Sequence, residues 1–293
     1  MQDIHIIWNP TAGSGAAGHA FKQVSGKLEE QGLPYTAEAT QYPGHARELA
    51  AAAAKAGRGT VITIGGDGTF DEVADSLTGT DTIMGLISAG TGNDLIRALH
   101  LSREPLEALD TVLHGSCRKM DMLEINGRKC INVAGFGFDV EVLINTEHYK
   151  SSTTNGSIAY LRGLLAAIHD LKLRDTVIRT PEKTFSGRVM LLAAGNGQCI
   201  GGGMPVTPQA DPFDGLLDLC VISDVKKSQL PILLPRFLKG KHLSFPQVTY
   251  LKTTEVTAEC TPSSRVQLDG EIIEETPFHA RILPGALRVM VNA

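Results

Sequence analysis

Over the first hundred residues of the chain, the pattern of apolar residues alternates between that of a buried strand and that of a helix with one apolar face. Residues 61–64 form a β-branched run typical of a buried strand, and Val73, Ala74 and Leu77 then fall on one face of a helix. This succession of strand and helix occurs four times, which indicates a parallel sheet with helices on both faces. The predicted strands are residues 4–8, 35–40, 60–64 and 83–88. The predicted helices are residues 44–56, residues 69–77, one that carries Phe21, Val24 and Leu28, and one that reaches Leu99.

The pattern changes near residues 115–119, and short strands of alternating polarity follow. Turn dipeptides such as Asn126-Gly127 and Pro284-Gly285 separate them, as in antiparallel sheets. The predicted strands are residues 119–125, 129–133, 184–194, 216–222, 248–253, 256–260, 265–268, 278–283 and 287–291. One inserted helix is predicted over residues 157–173 from the helical spacing of Ile158, Leu161, Leu164, Leu165 and Ile168.

Composition narrows the class of protein. The 293 residues are 42% hydrophobic and 20% charged, which favours a packed globular core. The net charge of -5 and the lack of a basic run predict no binding to nucleic acid. Five widely spaced cysteines without a C-x-x-C pair argue against a disulfide framework or a zinc site, and favour a reducing compartment. We expect neither a signal peptide nor a transmembrane segment, so a lipid substrate would be met at the membrane surface.

The loop Gly65-Gly66-Asp67-Gly68-Thr69 follows a predicted strand and opens a helix. Glycines let backbone N–H groups approach a phosphate, and a helix N-terminus favours negative charge. Because a carboxylate repels phosphate, Asp67 indicates that a metal ion or a ribose also occupies the site. A plain strand–turn–helix connection built on Asp-Gly is the alternative.

Two further loops have a similar position after a strand. Gly13, Gly15 and Gly18 form a G-x-G-x-x-G pattern, which alone is a weak sign of a dinucleotide-binding oxidoreductase, and no Walker A lysine is present. In the loop of residues 90–94, Thr91 is suited to donate to a phosphate. Asn93 is suited to cap the next helix, and a carboxylate in its first turn, such as Asp94, is favoured by the helix dipole. Capping does not explain why this loop shares its glycine–threonine–acid composition with residues 65–69.

Two acidic turns stand in the second half. Asp269-Gly270 between apolar runs is typical of a two-residue hairpin turn, but Asp269 and Glu271 also form a carboxylate pair from which one could act as general base. The segment that contains Asp211 and Asp214 is either a turn or a source of oxygen ligands for magnesium.

These motifs occur together in the order seen in diacylglycerol kinase-like proteins, and the chain more narrowly resembles the soluble bacterial lipid kinases of that family. The resemblance extends from Asn9 to the closing Pro284-Gly285-Ala286-Leu287. The glycine–aspartate loop alone is shared with phosphofructokinases and NAD kinases. The motifs that carry the resemblance are Asn9-Pro10-x-x-Gly13, Gly65-Gly66-Asp67-Gly68-Thr69, Gly90-Thr91-Gly92-Asn93-Asp94, Asp214-Gly215-Leu216-Leu217-Asp218 and Leu268-Asp269-Gly270-Glu271.

The resemblance implies the NAD kinase/diacylglycerol kinase-like two-domain fold. A βα nucleotide domain (residues 1–118) would be followed by an antiparallel β-sandwich domain (residues 119–293) for the lipid, with the last strands packing back on the first domain. Asp67 and Asp94 would organise catalytic magnesium, and Glu271 is the leading general base, with Asp269 close behind. Asp211, Asp214 and Leu216 would hold a second, structural magnesium ion, partly through backbone oxygens. The residues expected to bind ATP are Asn9, Pro10, Thr11, Ala12, Gly13, Thr40, Gly65, Gly66, Asp67, Gly68, Thr69, Phe70, Asp71, Glu72, Thr91 and Asn93.

The implied function is ATP- and Mg²⁺-dependent phosphorylation of a lipid hydroxyl, with diacylglycerol or a related lipid as acceptor, in phospholipid biosynthesis. The expected location is the cytoplasm, with peripheral contact at the inner face of the membrane, and a homodimer is compatible with the sequence. A lipid entrance is predicted at the helix of residues 157–173 and at residues 230–241. The alternatives are an NAD kinase-like enzyme for a small soluble substrate and a catalytically silent nucleotide-binding regulator.

Overall fold

The computed structural model describes residues 3–150, 156–273 and 277–293, and it describes no side chain at residues 150 and 156–161. Ile158 and Leu161, two residues of the predicted lipid-entrance helix, therefore lie outside the described side chains.

A parallel sheet with strand order β4-β3-β1-β2 forms the first half of the chain. Its central strands are buried along their length, as their β-branched sequences predict. The elements are β1 (Ile4–Trp8), α1 (Ala16–Glu30), β2 (Tyr35–Ala39), α2 (His45–Lys55), β3 (Thr60–Gly65), α3 (Asp67–Leu77), β4 (Ile83–Ser88), α4 (Asp94–Ala98) and α5 (Pro105–His114).

Helices cover both faces of this sheet, as the alternation of strands and helices predicts. Val24 and Leu28 of α1 and Leu109 of α5 pack in one apolar core, whereas Phe70 and Val73 of α3 pack in another. The carboxyl edge of the sheet stays open between these two layers, and the glycine-rich loops lie there.

The second half is built mainly of antiparallel strands. Its elements are β5 (Ser116–Ile125), β6 (Arg128–Cys130), β7 (Val133–Gly137), α6 (Phe138–Lys150), α7 (Gly156–His169), β8 (Arg174–Arg179), β9 (Thr184–Gly195), β10 (Leu217–Ser223), α8 (Leu230–Phe237), β11 (Val248–Thr253), β12 (Glu255–Thr261), β13 (Val266–Leu268), β14 (Glu271–Ile273) and β15 (Phe278–Val291).

The strands of this half share one apolar core, as expected when the inner faces of a β-sandwich meet. Phe136 of β7 and Phe278 of β15 pack edge to face at its centre, with ring centroids 5.8 Å apart. Ile178, Leu219 and Val256 bring β8, β10 and β12 to the same core.

Strand β15 joins the two halves into one sheet. It pairs antiparallel with β5 and β12, and its end pairs parallel with β4, where Arg288 is opposite Ile83 and Val289 opposite Met84. The loops of the first half and the hairpins of the second half are thereby held in a fixed relation.

Four predicted elements differ in detail. Residues 129–133 form two strands, β6 and β7, because the N–H groups of Ile131 and Asn132 turn to the Asp269 carboxylate. The strands predicted at residues 278–283 and 287–291 are one strand, β15, whose pairing with β5 shifts between Leu283 and Leu287. The helix predicted over residues 157–173 ends at His169.

Candidate active site

Three loops meet at the carboxyl edge of the parallel sheet, where ligands of such sheets bind. Asn9, after β1, donates from Nδ2 to the hydroxyl of Thr69 at 3.2 Å. Gly66 and Gly90 lie so close that a Cβ added at Gly90 would stand 2.6 Å from the Cα of Gly66. Both glycines are therefore needed for the loops after β3 and β4 to touch.

Two acids of α3 cap the neighbouring helices. The Asp67 carboxylate accepts hydrogen bonds from the N–H of Asn93 at 2.7 Å and of the following residue at 2.9 Å, which closes the first turn of α4. Glu72 accepts from the N–H of Gly44 at 2.9 Å and of Ala46 at 3.1 Å at the start of α2. Asp67 and Glu72 of α3 thus connect their own βα unit to those of α2 and α4, with each carboxylate at the positive end of a helix.

The predicted capping role of the Asn93 side chain is wrong. Asn93 has a left-handed backbone with φ of 58°, and its side chain makes no cap hydrogen bond to α4. Its Nδ2 instead donates to the carbonyl of Gly90 at 3.0 Å. The carboxylate of Asp67 instead satisfies the first N–H groups of this turn.

Asp94 lies between two parts of the chain. Its Oδ1 accepts from Arg97 at 2.8 Å, and its Oδ2 accepts from the backbone N–H of Gly202 at 2.8 Å. Burial raises the pKa of Asp94. The glycine turn at residues 201–203, whose role the sequence does not reveal, thus brings a backbone donor to this carboxylate.

A cavity of 1230 Å³ opens beside these loops. Part of its wall is the glycine loops and the segment after β2. Another part is apolar and comes from α6, α7 and α8, with Val142, Leu164 and Phe237 among its residues. The predicted site residues that line the cavity are Asn9, Thr11, Ala12, Gly13, Thr40, Gly66, Asp67, Gly68, Thr69, Glu72, Thr91, Asp94 and Asp269.

The other predicted site residues lie outside the cavity wall. Phe70 is fully buried in the core beneath α3. Gly65 ends β3, where a Cβ would stand 2.7 Å from Thr69. Pro10, Asp71, Asn93, Asp211, Asp214, Leu216 and Glu271 are likewise absent from the wall.

The Asp269-Gly270 pair forms the predicted hairpin turn. Both residues have positive φ, 46° and 91°, as a two-residue turn with matching twist requires. The Asp269 carboxylate faces inward and accepts from the N–H groups of Ile131 at 2.8 Å and Val133 at 2.9 Å. Its pKa is raised by burial, although these backbone donors act in the opposite direction.

Glu271 is on the outer side of the same hairpin. Its side chain is 66% exposed and lies 3.3 Å from Arg128. It lines a separate cavity of 320 Å³ together with Asp71 and Asp75. In this structure Asp269, and not Glu271, contributes to the large cavity, and the choice of general base stays a prediction.

Asp71 contacts the hairpin from α3. Burial, followed by the negative charge of Asp269, raises the pKa of Asp71 to about 8. The two carboxyl groups therefore share a proton near neutral pH, because two buried like charges side by side are unfavourable.

The three residues predicted for a second magnesium ion lie together near β10, apart from the cavity. The Asp214 carboxylate accepts from the N–H of Leu216 at 3.0 Å, and Asp211 accepts from the N–H of Phe213 at 3.1 Å. Asp214 is also paired with the ammonium of Lys252. Both oxygens of Asp214 are thus engaged, one by the N–H of Leu216 and one by Lys252, and the second magnesium site stays a prediction.

Sequence reasoning missed several residues of the cavity. Asp139 opens α6, Gln267 precedes the Asp269 turn, and Tyr42 lies beside Thr40 with its ring stacked on His45 at 4.5 Å. For Tyr42 the sequence did offer a signal, namely an aromatic residue in the loop that follows β2. Asp139 and Gln267 gave no local signal, because only the tertiary fold places them on the cavity.

Within the residues that the structure describes, no group of three or more His, Cys, Asp or Glu forms a complete metal site. Magnesium commonly takes one or two carboxylates and fills its shell with water and substrate phosphate. Asp67 and Asp94 on one cavity wall fit that donor set. Among the described segments, no helix combines the length and apolar character needed to cross a bilayer.

Comparison with known proteins agrees with this geometry. Residues 3–125 match the diacylglycerol kinase catalytic domain, and residues 132–291 match the YegS C-terminal NAD kinase beta sandwich-like domain. A diacylglycerol kinase of Bacillus subtilis (strain 168) is 31% identical over 92% of this chain and 90% of its own length. One of Mycobacterium tuberculosis (strain ATCC 25618 / H37Rv) is 31% identical over 98% and 94%.

Solved structures share the fold. A diacylglycerol kinase from Bacillus anthracis str. Sterne superposes with a TM-score of 0.77 at 19% identity, covering 99% of this chain and 97% of that one. A second structure from the same strain reaches a TM-score of 0.82 at 22% identity with the same coverage. From the two domain matches and the relatives that are 31% identical over nearly the whole chain, the protein belongs to the diacylglycerol kinase family of lipid kinases.

Proposed function

We propose that the enzyme transfers the γ-phosphate of ATP, with Mg²⁺, to the hydroxyl of diacylglycerol or a closely related lipid. One observation carries the proposal: a single cavity joins glycine-rich loops, suited to phosphates, with an apolar wall suited to acyl chains. Phosphoryl transfer needs in-line positioning and charge neutralisation more than covalent help.

The nucleotide would occupy the part of the cavity near the first-half loops. Thr11, Gly68 and Thr91 line this part, and the N-terminus of α3 opens toward it. Helix N-termini and glycine amides stabilise phosphate charge. Among the described residues of the cavity wall there is no Lys or Arg. Neutralisation of the phosphates therefore falls to backbone amides and to magnesium.

Magnesium would be held by Asp67 and Asp94, with water and phosphate oxygens as its other ligands. Each carboxylate already accepts backbone hydrogen bonds, which fix its orientation. The ion supplies charge stabilisation for the transferred group when bound. The loops hold the carboxylates in place before substrate arrives.

The acceptor hydroxyl would lose its proton to a carboxylate of the 269–271 hairpin. Asp269 lines the cavity, but its two oxygens already accept hydrogen bonds from the N–H groups of Ile131 and Val133. Both oxygens of Glu271 accept from Arg128 at 3.3 Å, and the side chain lies outside the cavity. Parallel kinetics of Asp269→Asn and Glu271→Gln decide between them, because only loss of the base lowers kcat without a matching rise of KM.

The lipid would enter between α7 and α8. Leu164 of α7 and Leu234 of α8 line the cavity, whereas Leu165 and Ile232, on other faces of these helices, are 57% and 60% exposed. An apolar surface beside an apolar cavity suits peripheral contact with a membrane. Lys239 and Lys241, just after α8, would add attraction to an anionic leaflet, which fits the cytoplasmic face of the membrane.

A panel of acceptors tests the proposal. Labelled phosphate from γ-labelled ATP is offered with magnesium to diacylglycerol, phosphatidylglycerol, sphingosine, ceramide and undecaprenol in mixed micelles, with NAD and water as controls. Label in a lipid is the expected outcome and identifies the acceptor. Label only in NADP would establish the NAD kinase-like activity instead, and no transfer despite bound ATP would indicate a silent regulator.

A further inference from the structure

Asp139 has an unusual position in the first turn of α6. It is 3% exposed and lines the large cavity. Its Oδ2 accepts a hydrogen bond from Nε2 of Gln267 at 3.2 Å, whereas its Oδ1 is buried without a hydrogen-bond partner. A buried polar atom without a partner is unfavourable, so an unpartnered carboxylate oxygen in a residue that lines the cavity points to a ligand that reaches it on binding.

The surroundings place Asp139 where the two parts of the cavity meet. Gln267, which holds Asp139, also accepts from the N–H of Gly270 in the catalytic hairpin. Phe138 and Val142, on either side of Asp139 along α6, belong to the apolar wall. The carboxylate therefore lies between the hairpin and the region proposed for acyl chains, which is where a lipid headgroup must stand.

The nearby guanidinium of Arg174 forms its ion pair with a residue other than Asp139. Arg174 is buried and pairs with Glu141 at 2.9 Å, and its Nε and Nη1 have no partner. Burial, the largest effect, raises the pKa of Asp139 to about 6, although the backbone N–H groups of Val140 and Asp139, the Gln267 amide and the charge of Arg174 act in the opposite direction. At neutral pH Asp139 is thus mostly an anion that accepts but cannot donate a hydrogen bond.

We propose that Asp139 binds the headgroup of the lipid and selects by charge, admitting a headgroup with a free hydroxyl or amine and rejecting an anionic one. A hydroxyl that donates to a carboxylate forms a charge-assisted hydrogen bond. A phosphodiester in the same place would meet a buried like charge. This inference rests on the proposed function and defines its acceptor as an uncharged or cationic lipid such as diacylglycerol, in preference to phosphatidylglycerol.

The test compares dioctanoylglycerol with dioctanoylphosphatidylglycerol in the wild type and in Asp139→Asn, which removes the charge but keeps the shape. The matched control is Glu141→Gln, which removes a neighbouring charge of α6 that faces Arg174 and not the cavity. We expect the wild type to prefer dioctanoylglycerol in kcat/KM by about tenfold or more, and Asp139→Asn to narrow this ratio by a similar factor. Glu141→Gln should retain the preference.

An unchanged ratio in Asp139→Asn, or an equal change in Glu141→Gln, would overturn the proposal. Calorimetric binding of the same two lipids without ATP provides a readout that does not depend on phosphate transfer. A binding preference that is lost only in Asp139→Asn would support the role of Asp139 even if neither lipid is phosphorylated. Such a binding preference without phosphate transfer would contradict only the proposed function, and not the role of Asp139 in binding. Asp139→Ala serves as a second charge-free variant should Asp139→Asn fail to fold.

Discussion

The carboxylate of Asp67 accepts a 2.7 Å hydrogen bond from the backbone N–H of Asn93, so a side chain of one βα loop closes the first turn of the helix that follows the next strand. The loops after β3 and β4 are therefore one unit. Asp67, an acid in a loop proposed to bind phosphate, therefore has a structural role besides its proposed catalytic one.

Replacing Asp67 by Ala should reduce both stability and turnover. Loss of the cap on α4 costs about 1–2 kcal/mol in the free energy of unfolding. Loss of the proposed magnesium ligand should lower kcat by about a hundredfold or more. Chemical denaturation and steady-state kinetics measure the two effects. The control is Asp110→Ala on α5, whose side chain is 74% exposed and distant from the cavity; equal losses in both variants would refute the assignment.

Replacing Gly90 by Ala should separate the loops after β3 and β4. The new Cβ would stand 2.6 Å from the backbone of Gly66, and such overpacking costs about 1–3 kcal/mol. The comparison is Gly26→Ala in the middle of α1, where a Cβ meets nothing within 4 Å and should stabilise the helix by about 0.5–1 kcal/mol. Thermal denaturation should show opposite shifts in Tm, and shifts of the same sign would contradict the close contact of the loops.

The proton shared by Asp71 and Asp269 should make stability depend on pH. The pKa of Asp71 is raised to about 8 in the folded protein, so the folded state holds this proton after the unfolded chain has lost it. The contribution of this proton to the free energy of unfolding is complete at acidic pH. It is lost as pH rises from about 4 toward 8, by no more than about 1.4 kcal/mol per pH unit.

Asp71→Asn removes the titrating group, so comparing the variant with the wild type measures how much Asp71 contributes to the pH dependence of stability. The free energy of unfolding of the variant, relative to the wild type, should increase steadily between pH 5 and pH 8 in urea titrations. A difference that is constant over this range would show that Asp71 titrates normally.

Ile232 should contribute to membrane binding. Its side chain is 60% exposed on α8, beside the apolar wall, and its transfer from water is worth about 1.5–3 kcal/mol. Ile232→Ser should weaken cosedimentation with vesicles about tenfold without changing Tm. Leu106→Ser is the control, because Leu106 is 46% exposed on α5, outside the cavity wall.

The charges after α8 can be tested in the same assay. Reversing Lys239 and Lys241 to Glu should weaken binding to anionic vesicles and leave binding to neutral vesicles nearly unchanged. Equal binding of the Ile232 and Leu106 variants, with no effect of charge reversal, would place the lipid entrance elsewhere.

The sequence predicted the parallel sheet well because its signals are local. The run at residues 61–64 and the glycines after it reflect burial and backbone geometry that a short window contains. The Asp269-Gly270 turn was predictable for the same reason. The partners of Asp67 and Glu72 were not, since each lies 26 to 28 residues away along the chain.

The sequence could not locate Asp139 or decide which hairpin carboxylate faces the cavity. Asp139 looks like an ordinary acid in the first turn of a helix, where the dipole alone would favour it. Only the packing of α6 against Gln267 of β13 places Asp139 in the wall of the cavity. For Asp269 and Glu271, the decisive facts are the twist of the turn and the amides of residues 131–133, which come from a distant strand pair.

The central claim is that the glycine loops and the apolar wall serve one phosphoryl transfer. The most direct measurement incubates the wild type and Asp67→Ala with Mg-ATP and dioctanoylglycerol and quantifies dioctanoylphosphatidic acid by mass spectrometry. We predict a product matched in amount by ADP in the wild type and almost none in the variant. ATP consumption without a phosphorylated lipid, or equal product from both proteins, would contradict the account.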